Sequence, residues 1–239
     1  MRVKARLFRG LFKLRCAVSQ KSNIQAFNPC IVNVMKLLIK RVDLASIAFL
    51  PSEDAVRESC TRPFAKLDAG CPYFGTSWSC PPNRPPLPEM KARLASCHDF
   101  FLVVLQESLP AGFKENKGLF KEVQKTYGKM DGALESCLDA LHHFVPGSVP
   151  VYASPCKVCM AERKKPCTCP GKPCRFPDRI QYSLSSYGID TLTTVKNAGI
   201  PIEVNPETVV SRVGMICAAS PASIDAMIQH CVSCVKGIT

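Results

Sequence analysis

Cysteine crowding is the feature that most constrains the fold of this chain. Five cysteines lie within nineteen residues, at Cys156, Cys159, Cys167, Cys169 and Cys174. Two more, Cys71 and Cys80, flank the segment C-P-Y-F-G-T-S-W-S-C. Thiols at this density are poorly explained as filling for a hydrophobic core. They predict a long loop that holds a metal ion or an iron–sulfur cluster.

Cysteine usage also indicates the redox environment. The 239 residues include 15 cysteines, an odd number, and no secretory signal is recognisable. We therefore expect metal-bound and free thiols in a reducing compartment, the cytoplasm, and not a disulfide scaffold. If the N-terminal segment is a presequence, an organelle matrix is the alternative.

The net charge of +12 is unevenly distributed. Residues 1–42 carry ten lysines or arginines and no acid, whereas the rest of the chain has 21 basic and 19 acidic residues. A basic groove for nucleic acid places its excess charge in the folded region, so we predict no nucleic-acid partner. The longest strongly apolar stretch, residues 100–105, is too short to cross a bilayer, so no transmembrane segment is expected.

The basic N-terminal segment has three interpretations. Val3, Leu7, Leu11 and Leu14 recur at helical spacing in an arginine-rich, acid-free context, which is typical of an organelle presequence. Such a helix also suits an anionic membrane surface. The third interpretation is that the true start is Met35. All three place residues 1–42 outside the fold and make 43–239 the cysteine-rich, metal-binding domain.

Strand-like and helix-like segments alternate beyond this extension. Strands are predicted at 45–50, 100–106, 149–153, 200–204 and 209–217. Helices are predicted from Glu53, with Ser52 as N-cap, and at 89–96, 115–144, 192–197 and 222–235; Asp190 caps the fourth of these. The glycines at 128 and 132 are expected to break the third helix in two. The predicted fold class is α+β (mixed α/β), a single domain with a long cysteine-rich metal-binding loop.

Coordination chemistry narrows the choice of metal. A C-x-x-C turn places two sulfurs on one side of a tight loop, and soft thiolates select zinc, cuprous copper or iron–sulfur centres. The four histidines lie outside the cysteine run, so an all-thiolate site is expected. Four cysteines hold one zinc ion or one [4Fe–4S] cluster. Proline after Cys71, Cys80 and Cys169 and the irregular spacing favour iron–sulfur, with zinc as the alternative.

Four motifs together resemble a known family. They are C-P-Y-F-G-T-S-W-S-C-P-P, C-x-x-C, C-R-F-P-D-R and Y-G-I-D-T, and they resemble the predicted metal-binding proteins of domain of unknown function 2284 over about residues 45–204. The resemblance implies metal ligands at Cys71, Cys80, Cys156, Cys159 and Cys174, with Cys60 as partner of the first block. Two departures stand out. Cys60 lies eleven positions before Cys71, and Cys167 and Cys169 are extra cysteines, either spare or replacement ligands.

Three classes of function follow. The first is an iron–sulfur protein that passes electrons to a redox partner protein. The second is a zinc-stabilised binding module, and the third is a thiol- or metal-dependent enzyme. The sequence shows no Ser-His-Asp set, P-loop, G-x-G-x-x-G or H-E-x-x-H motif, so catalysis has no support beyond the cysteines. The basic run 163–165 is a solvated loop or steers an acidic partner, and Cys231 and Cys234 are interpreted as buried structural thiols.

Overall fold

A computed structural model describes residues 14–16, 30–32, 35–63, 70–109, 119–204 and 206–236. Its centre is one antiparallel sheet with helices, which confirms the α+β class. The strands are β1 Leu14–Cys16, β2 Cys30–Val32, β3 Met35–Val42, β4 Asp99–Ser108, β5 Val149–Val151 and β6 Val209–Ala218. Their order across the sheet is β1-β2-β3-β4-β6-β5.

The helices lie on both sides of this sheet. They are α1 Glu53–Thr61, α2 Leu87–Ala92, α3 Leu119–Phe144, α4 Val158–Arg163, α5 Thr191–Asn197 and α6 Ile224–Lys236. The predicted caps are confirmed: Ser52 accepts a hydrogen bond from the Ala55 N–H, and Asp190 accepts one from the Thr193 N–H. No helix among the ranges given above is both long and apolar enough to cross a membrane.

Strand β4 is buried on both faces. Phe101, Val103 and Leu105 pack in one core with the apolar side chains of α3 and α6, while alternate residues such as Leu102 and Val104 pack in a second core on the opposite face. Burial on both sides explains why the strand reads as a continuous apolar run and not as an alternating pattern.

Helix α3 crosses the sheet without the predicted break. Its 26 residues include Gly128 and Gly132, and each glycine costs about 1 kcal/mol relative to alanine in a helix. Met130, Leu134 and Leu138 are fully buried in the core with the sheet, and this burial offsets that cost. The expectation of two helices was therefore wrong.

Close packing of α3 on the sheet explains a glycine in β6. A Cβ atom at Gly214 would lie 2.7 Å from Cδ1 of Leu138 and 3.1 Å from the Val151 carbonyl oxygen. Any larger residue would push the helix away from the sheet, so glycine is needed for close approach and not for its backbone freedom.

The expected boundary of the fold at residue 42 is too late. Met35–Val42 is a central strand that pairs with β4 over its whole length, and Leu37, Leu38 and Ile39 are buried. Strands β2 and β1 continue the sheet from β3. Val3, Leu7 and Leu11, on which the presequence interpretation rests, lie outside the described residues.

Two predicted strands near the site are not strands. Residues 45–50 contain the end of a 3-10 turn, Leu44–Ser46, and a single bridge between Phe49 and Ile189. Residues 200–204 are irregular because the Glu203 carboxylate accepts hydrogen bonds from the N–H groups of Glu207 and Thr208, which closes a turn before β6.

Candidate metal centre

Two cysteine-bearing loops contact each other. The first cysteine loop, residues 70–86, connects α1 to α2, and the second cysteine loop, residues 152–180, begins where β5 ends. The second loop is anchored to α3: the Tyr152 hydroxyl donates to Asp139 (2.6 Å), the Ser154 hydroxyl donates to Glu135 (2.7 Å), and the Lys157 ammonium contacts Glu135 (2.6 Å). As predicted, the β5 strand leads the chain directly into the cysteine run.

The first loop brings Cys60 and Cys71 together despite their separation in sequence. Cys60 is buried near the end of α1, and its carbonyl oxygen accepts a hydrogen bond from the Cys71 N–H at 2.7 Å. Gly70 has a φ of +74°, and a Cβ there would come within 2.6 Å of the Thr61 backbone. Only glycine fits this turn. The spacing of eleven residues is therefore compatible with adjacent thiols.

Cys80 completes this set of thiols. A turn within the loop joins the Cys80 N–H to the Ser77 carbonyl at 3.1 Å and buries Cys80. Burial raises the pKa of both the Cys60 and Cys80 thiols, and the neighbouring Cys71 raises the pKa of each further. At Cys80, hydrogen bonds with Ser77 and Ser79 offset part of the rise in pKa. We call Cys60, Cys71 and Cys80 the first thiol group.

The second loop encloses a small cavity between four thiols. Cys156, Cys159, Cys167 and Cys174 line it together with the side chains of Trp78, Val158, Phe176 and Ile180, and we call it the four-thiol cavity. Burial raises the pKa of the Cys156 thiol, with smaller contributions from the charges of Cys174 and Cys167. The cysteine run therefore contributes four cysteines to the lining of one small, largely apolar cavity.

The donor set of this cavity fits a soft metal. Its volume is about 10 Å³, and its lining offers four sulfurs but no imidazole or carboxylate group. Thiolates in an apolar surrounding select zinc or iron–sulfur centres over hard cations. Between residues 35 and 236, within the parts that the structure describes, no three Cys, His, Asp or Glu side chains converge closely enough to coordinate a single ion.

The two loops are joined by hydrogen bonds to Ser79, a residue that the sequence analysis did not identify. Ser79 is completely buried; its hydroxyl accepts a hydrogen bond from the Cys156 N–H at 2.9 Å, and its carbonyl oxygen accepts one from the Ser186 hydroxyl at 2.5 Å. The Trp78 indole N–H donates to the Lys172 carbonyl at 3.2 Å. The two cysteine blocks thus meet in space. No local sequence pattern around Ser79 predicts its contact with Cys156, because the two residues are distant along the chain.

Cys169 occupies the boundary between the loops. Its thiol donates to the carbonyl oxygen of Gly75 in the first loop, with sulfur and oxygen 3.7 Å apart. Burial is the main cause of a raised pKa of the Cys169 thiol. Smaller contributions come from its neighbours Cys167, Cys80 and Cys174. It is the one cysteine of the run 156–174 that does not line the four-thiol cavity.

A larger cleft adjoins the four-thiol cavity. It has a volume of about 650 Å³ and shares Trp78, Cys174 and Ile180 with the cavity. Arg84 lines the cleft and forms an ion pair with Glu53 at 2.8 Å. The hydrogen bond from this arginine lowers the pKa of the Glu53 carboxyl.

Other cysteines belong to the hydrophobic cores and not to the two loops. Cys137 on α3 and Cys231 on α6 are hydrogen-bonded and buried in the core beneath the helices, and Cys217 is buried in the opposite core. The structural interpretation of Cys231 agrees with this position, while the Cys234 side chain lies outside the described residues. The basic run 163–165 is exposed.

Comparison with known proteins places the chain in a family. The family model described as predicted metal-binding protein (DUF2284) matches residues 47–217, and the chain belongs to this family. The match covers both cysteine loops. No curated protein and no solved structure matches the chain.

Proposed function

We propose that this member of the predicted metal-binding family holds a [4Fe–4S] cluster on Cys156, Cys159, Cys167 and Cys174 and passes electrons to a partner protein. The observation that carries the proposal is the four-thiol cavity, whose lining contains four cysteines and no histidine, aspartate or glutamate. Four cysteine thiolates are the ligand set of a [4Fe–4S] cluster.

The surroundings of the thiols suit a redox centre. Trp78, Phe176 and Ile180 shield the cavity from water, and a dry, apolar shell tunes the reduction potential of a metal centre. A bound cluster would supply one-electron transfer. The protein's own part is to hold the four sulfurs and to exclude solvent from them.

The surface next to the cavity suits a negatively charged partner. Residues 160–166 are all exposed, and they include Arg163, Lys164 and Lys165. They follow directly after Cys159, so positive charge lies beside the site. Charge of one sign near a redox centre steers an oppositely charged partner to it, which supports an acidic redox protein as the partner.

Zinc is the second candidate, and the size of the cavity favours it. A volume of about 10 Å³ is close to the smallest space that holds one water molecule, and it suits a single ion. Four thiolates form a closed tetrahedral zinc site with no open position for chemistry. In that case the chain is a zinc-stabilised binding module.

Metal and sulfide analysis of the full chain, purified without oxygen, distinguishes the two candidates. The proposal predicts a brown protein that contains iron and acid-labile sulfide in equal amounts. Colourless protein with stoichiometric zinc would overturn the iron–sulfur assignment and leave the zinc module.

A double variant tests the ligands themselves. Cys156→Ala/Cys159→Ala is expected to lose the metal of the four-thiol cavity, whereas Cys97→Ala, a cysteine packed against the hydrophobic core, is the matched control and should retain it. Full metal retention by the double variant would refute the ligand assignment.

A further inference from the structure

We propose that the larger cleft beside the four-thiol cavity binds a small planar aromatic anion. Its volume of about 650 Å³ lies within the range of about 300–1,000 Å³ that is usual for small-molecule sites. The inference goes beyond the proposed function, which uses only the four-thiol cavity, and it does not depend on the identity of the metal.

Two aromatic side chains form part of the cleft wall. Trp78 comes from the first cysteine loop, and Tyr182 comes from the segment that follows the second loop. The Trp78 indole N–H donates to the Lys172 carbonyl oxygen at 3.2 Å, and the Arg93 guanidinium lies 5.0 Å from the centre of the Tyr182 ring. Both rings are therefore held by neighbouring groups. Stacking on such rings favours a planar ring system as the ligand.

Prolines make other parts of the wall stiff. Pro85, Pro170 and Pro173 line the cleft. A proline ring fixes its own φ angle, and its side chain has almost no rotamer freedom to lose when a ligand covers it. A ligand that binds against these residues orders few groups, which lowers the cost of binding.

The charges of the lining select an anion. Three charged side chains line the cleft, namely Arg84, Glu89 and Lys172. Arg84 forms its ion pair with Glu53, at 2.8 Å. Glu89 forms one with Arg93, at 2.9 Å. Lys172 is exposed and has no ion pair within the residues that the structure describes, so one positive charge of the lining remains for a ligand.

The charge around the cleft has the same sign. Residues 160–179, which contain Lys172, include six basic and two acidic residues. A surface of one sign raises the local concentration of oppositely charged small molecules. A carboxylate or phosphate group on the aromatic ligand therefore matches both the lining and its surroundings.

A ligand in this cleft would lie against the four-thiol cavity. Trp78, Cys174 and Ile180 line both spaces. Because Cys174 is a metal ligand under the proposed function, the bound ring would be a neighbour of the metal centre. This consequence alone rests on the proposed function.

Calorimetric titration of the full chain, purified without oxygen, tests the site with 2-naphthoate as the probe. This molecule has a planar ring system and one carboxylate. Two related molecules each lack one feature: 2-naphthamide is planar but neutral, and cyclohexanecarboxylate is anionic but not aromatic. We expect saturable binding of one 2-naphthoate per chain and about tenfold weaker binding of each related molecule.

Lys172→Gln tests the charge without disturbing the fold, because the lysine side chain is exposed and the backbone carbonyl that holds Trp78 remains. It should weaken 2-naphthoate about tenfold and leave 2-naphthamide unchanged. Lys196→Gln, an exposed lysine on α5 that does not line the cleft, is the matched control and should bind both as the wild type does. Trp78→Leu should weaken both about tenfold, in samples that circular dichroism shows to be folded.

Several results would overturn the site. They are no saturable binding of 2-naphthoate up to about 5 mM, equal binding of 2-naphthoate and 2-naphthamide, or an equal loss in Lys172→Gln and Lys196→Gln. Metal analysis of the same samples separates this proposal from the proposed function. Specific binding by a chain without metal would contradict the proposed function only, and a metal-loaded chain without binding would contradict the cleft only.

Discussion

The sheet and the cysteine loops of this domain are stabilised in different ways. The sheet and its helices bury long apolar runs, and strand β4 is covered on both faces. The two cysteine loops have little regular structure; the longest helix between β5 and α5 in the described chain is the six-residue α4. The same residue type plays different parts: Cys137 and Cys217 fill the cores, whereas Cys60 and Cys80 are buried outside them.

Under the proposed function, metal–thiolate bonds stabilise the loops. Ordering each residue of an irregular loop costs about 1–2 kcal/mol of backbone entropy. The loops offset part of this cost through buried contacts such as the Ser79–Cys156 hydrogen bond and the Glu53–Arg84 ion pair. Binding of a metal to preformed thiols adds folding free energy at this place and not in the sheet.

The largest predicted effect is a selective loosening of the loops when the metal is removed. Chelation should increase hydrogen exchange at the amides of Cys71 and Cys156, while the amides of β4 and β6 stay protected. If free metal stands at 1,000 times its dissociation constant, the change in exchange rate of loop amides is about a thousandfold. Mass-spectrometric hydrogen exchange measures both regions in one experiment.

Equal loss of protection in the sheet and in the loops would break the distinction between them. It would mean that the metal stabilises the domain as a whole. The wild type treated with buffer alone is the control for exchange during handling.

A substitution that creates a cavity in the core between α3 and the sheet should lower the stability of the domain without changing its metal content. Leu138 on α3 is fully buried against Gly214, and Leu138→Ala is expected to lower the free energy of unfolding by about 2–5 kcal/mol. Metal content per folded chain should not change, because Leu138 lies in the core on the sheet. Urea denaturation together with metal analysis tests the prediction, and loss of metal from folded Leu138→Ala would contradict it.

The smallest predicted effect concerns the ion pair that ties the first loop to α1. Arg84 is buried and Glu53 is about half exposed, so Glu53→Gln should cost about 1–2 kcal/mol at pH 7, after allowance for solvent screening. The hydrogen bond from Arg84 lowers the pKa of Glu53 in the folded chain. Its contribution is therefore complete above the ordinary carboxyl pKa of about 4.3 and is lost as the pH falls through the lowered value.

Urea denaturation of the wild type and Glu53→Gln across a range of pH measures this contribution. The difference in unfolding free energy should be constant between about pH 8 and about pH 5.5 and should shrink only below the ordinary carboxyl pKa. A difference that disappears already near pH 5.5 would show that another group is responsible.

Local signals in the sequence predicted the parts of the fold that depend on neighbouring residues. Ser52 and Asp190 cap α1 and α5 because a cap needs only the next three residues. Helix α3 was predicted to break because its two glycines are a local signal. The burial of its apolar side against the sheet outweighs those glycines, and that burial cannot be read from neighbouring residues. The strand β3 was assigned to a basic extension because Lys40 and Arg41 resemble tail residues. In the fold, Lys40 donates to the Ala198 carbonyl and Arg41 pairs with Asp99.

The sequence indicated which cysteines are candidate ligands, but not which of them lie near one another in the fold. All eight candidate cysteines were singled out from their density and motifs; the structure places seven of them in the two neighbouring loops and Cys60 in α1. Which of these cysteines lie near one another depends on contacts between distant segments, such as Gly70 against Thr61 and Cys169 against Gly75. Spacing along one chain does not encode such contacts.

X-ray absorption at the bound metal tests the central claim most directly. The claim is that the metal of this domain is held by cysteine sulfur alone. Spectra of the full chain, purified without oxygen, are expected to show a first coordination shell of sulfur only, at about 2.3 Å for either candidate centre. A first shell with nitrogen or oxygen ligands would contradict the assignment of these thiols as the metal site.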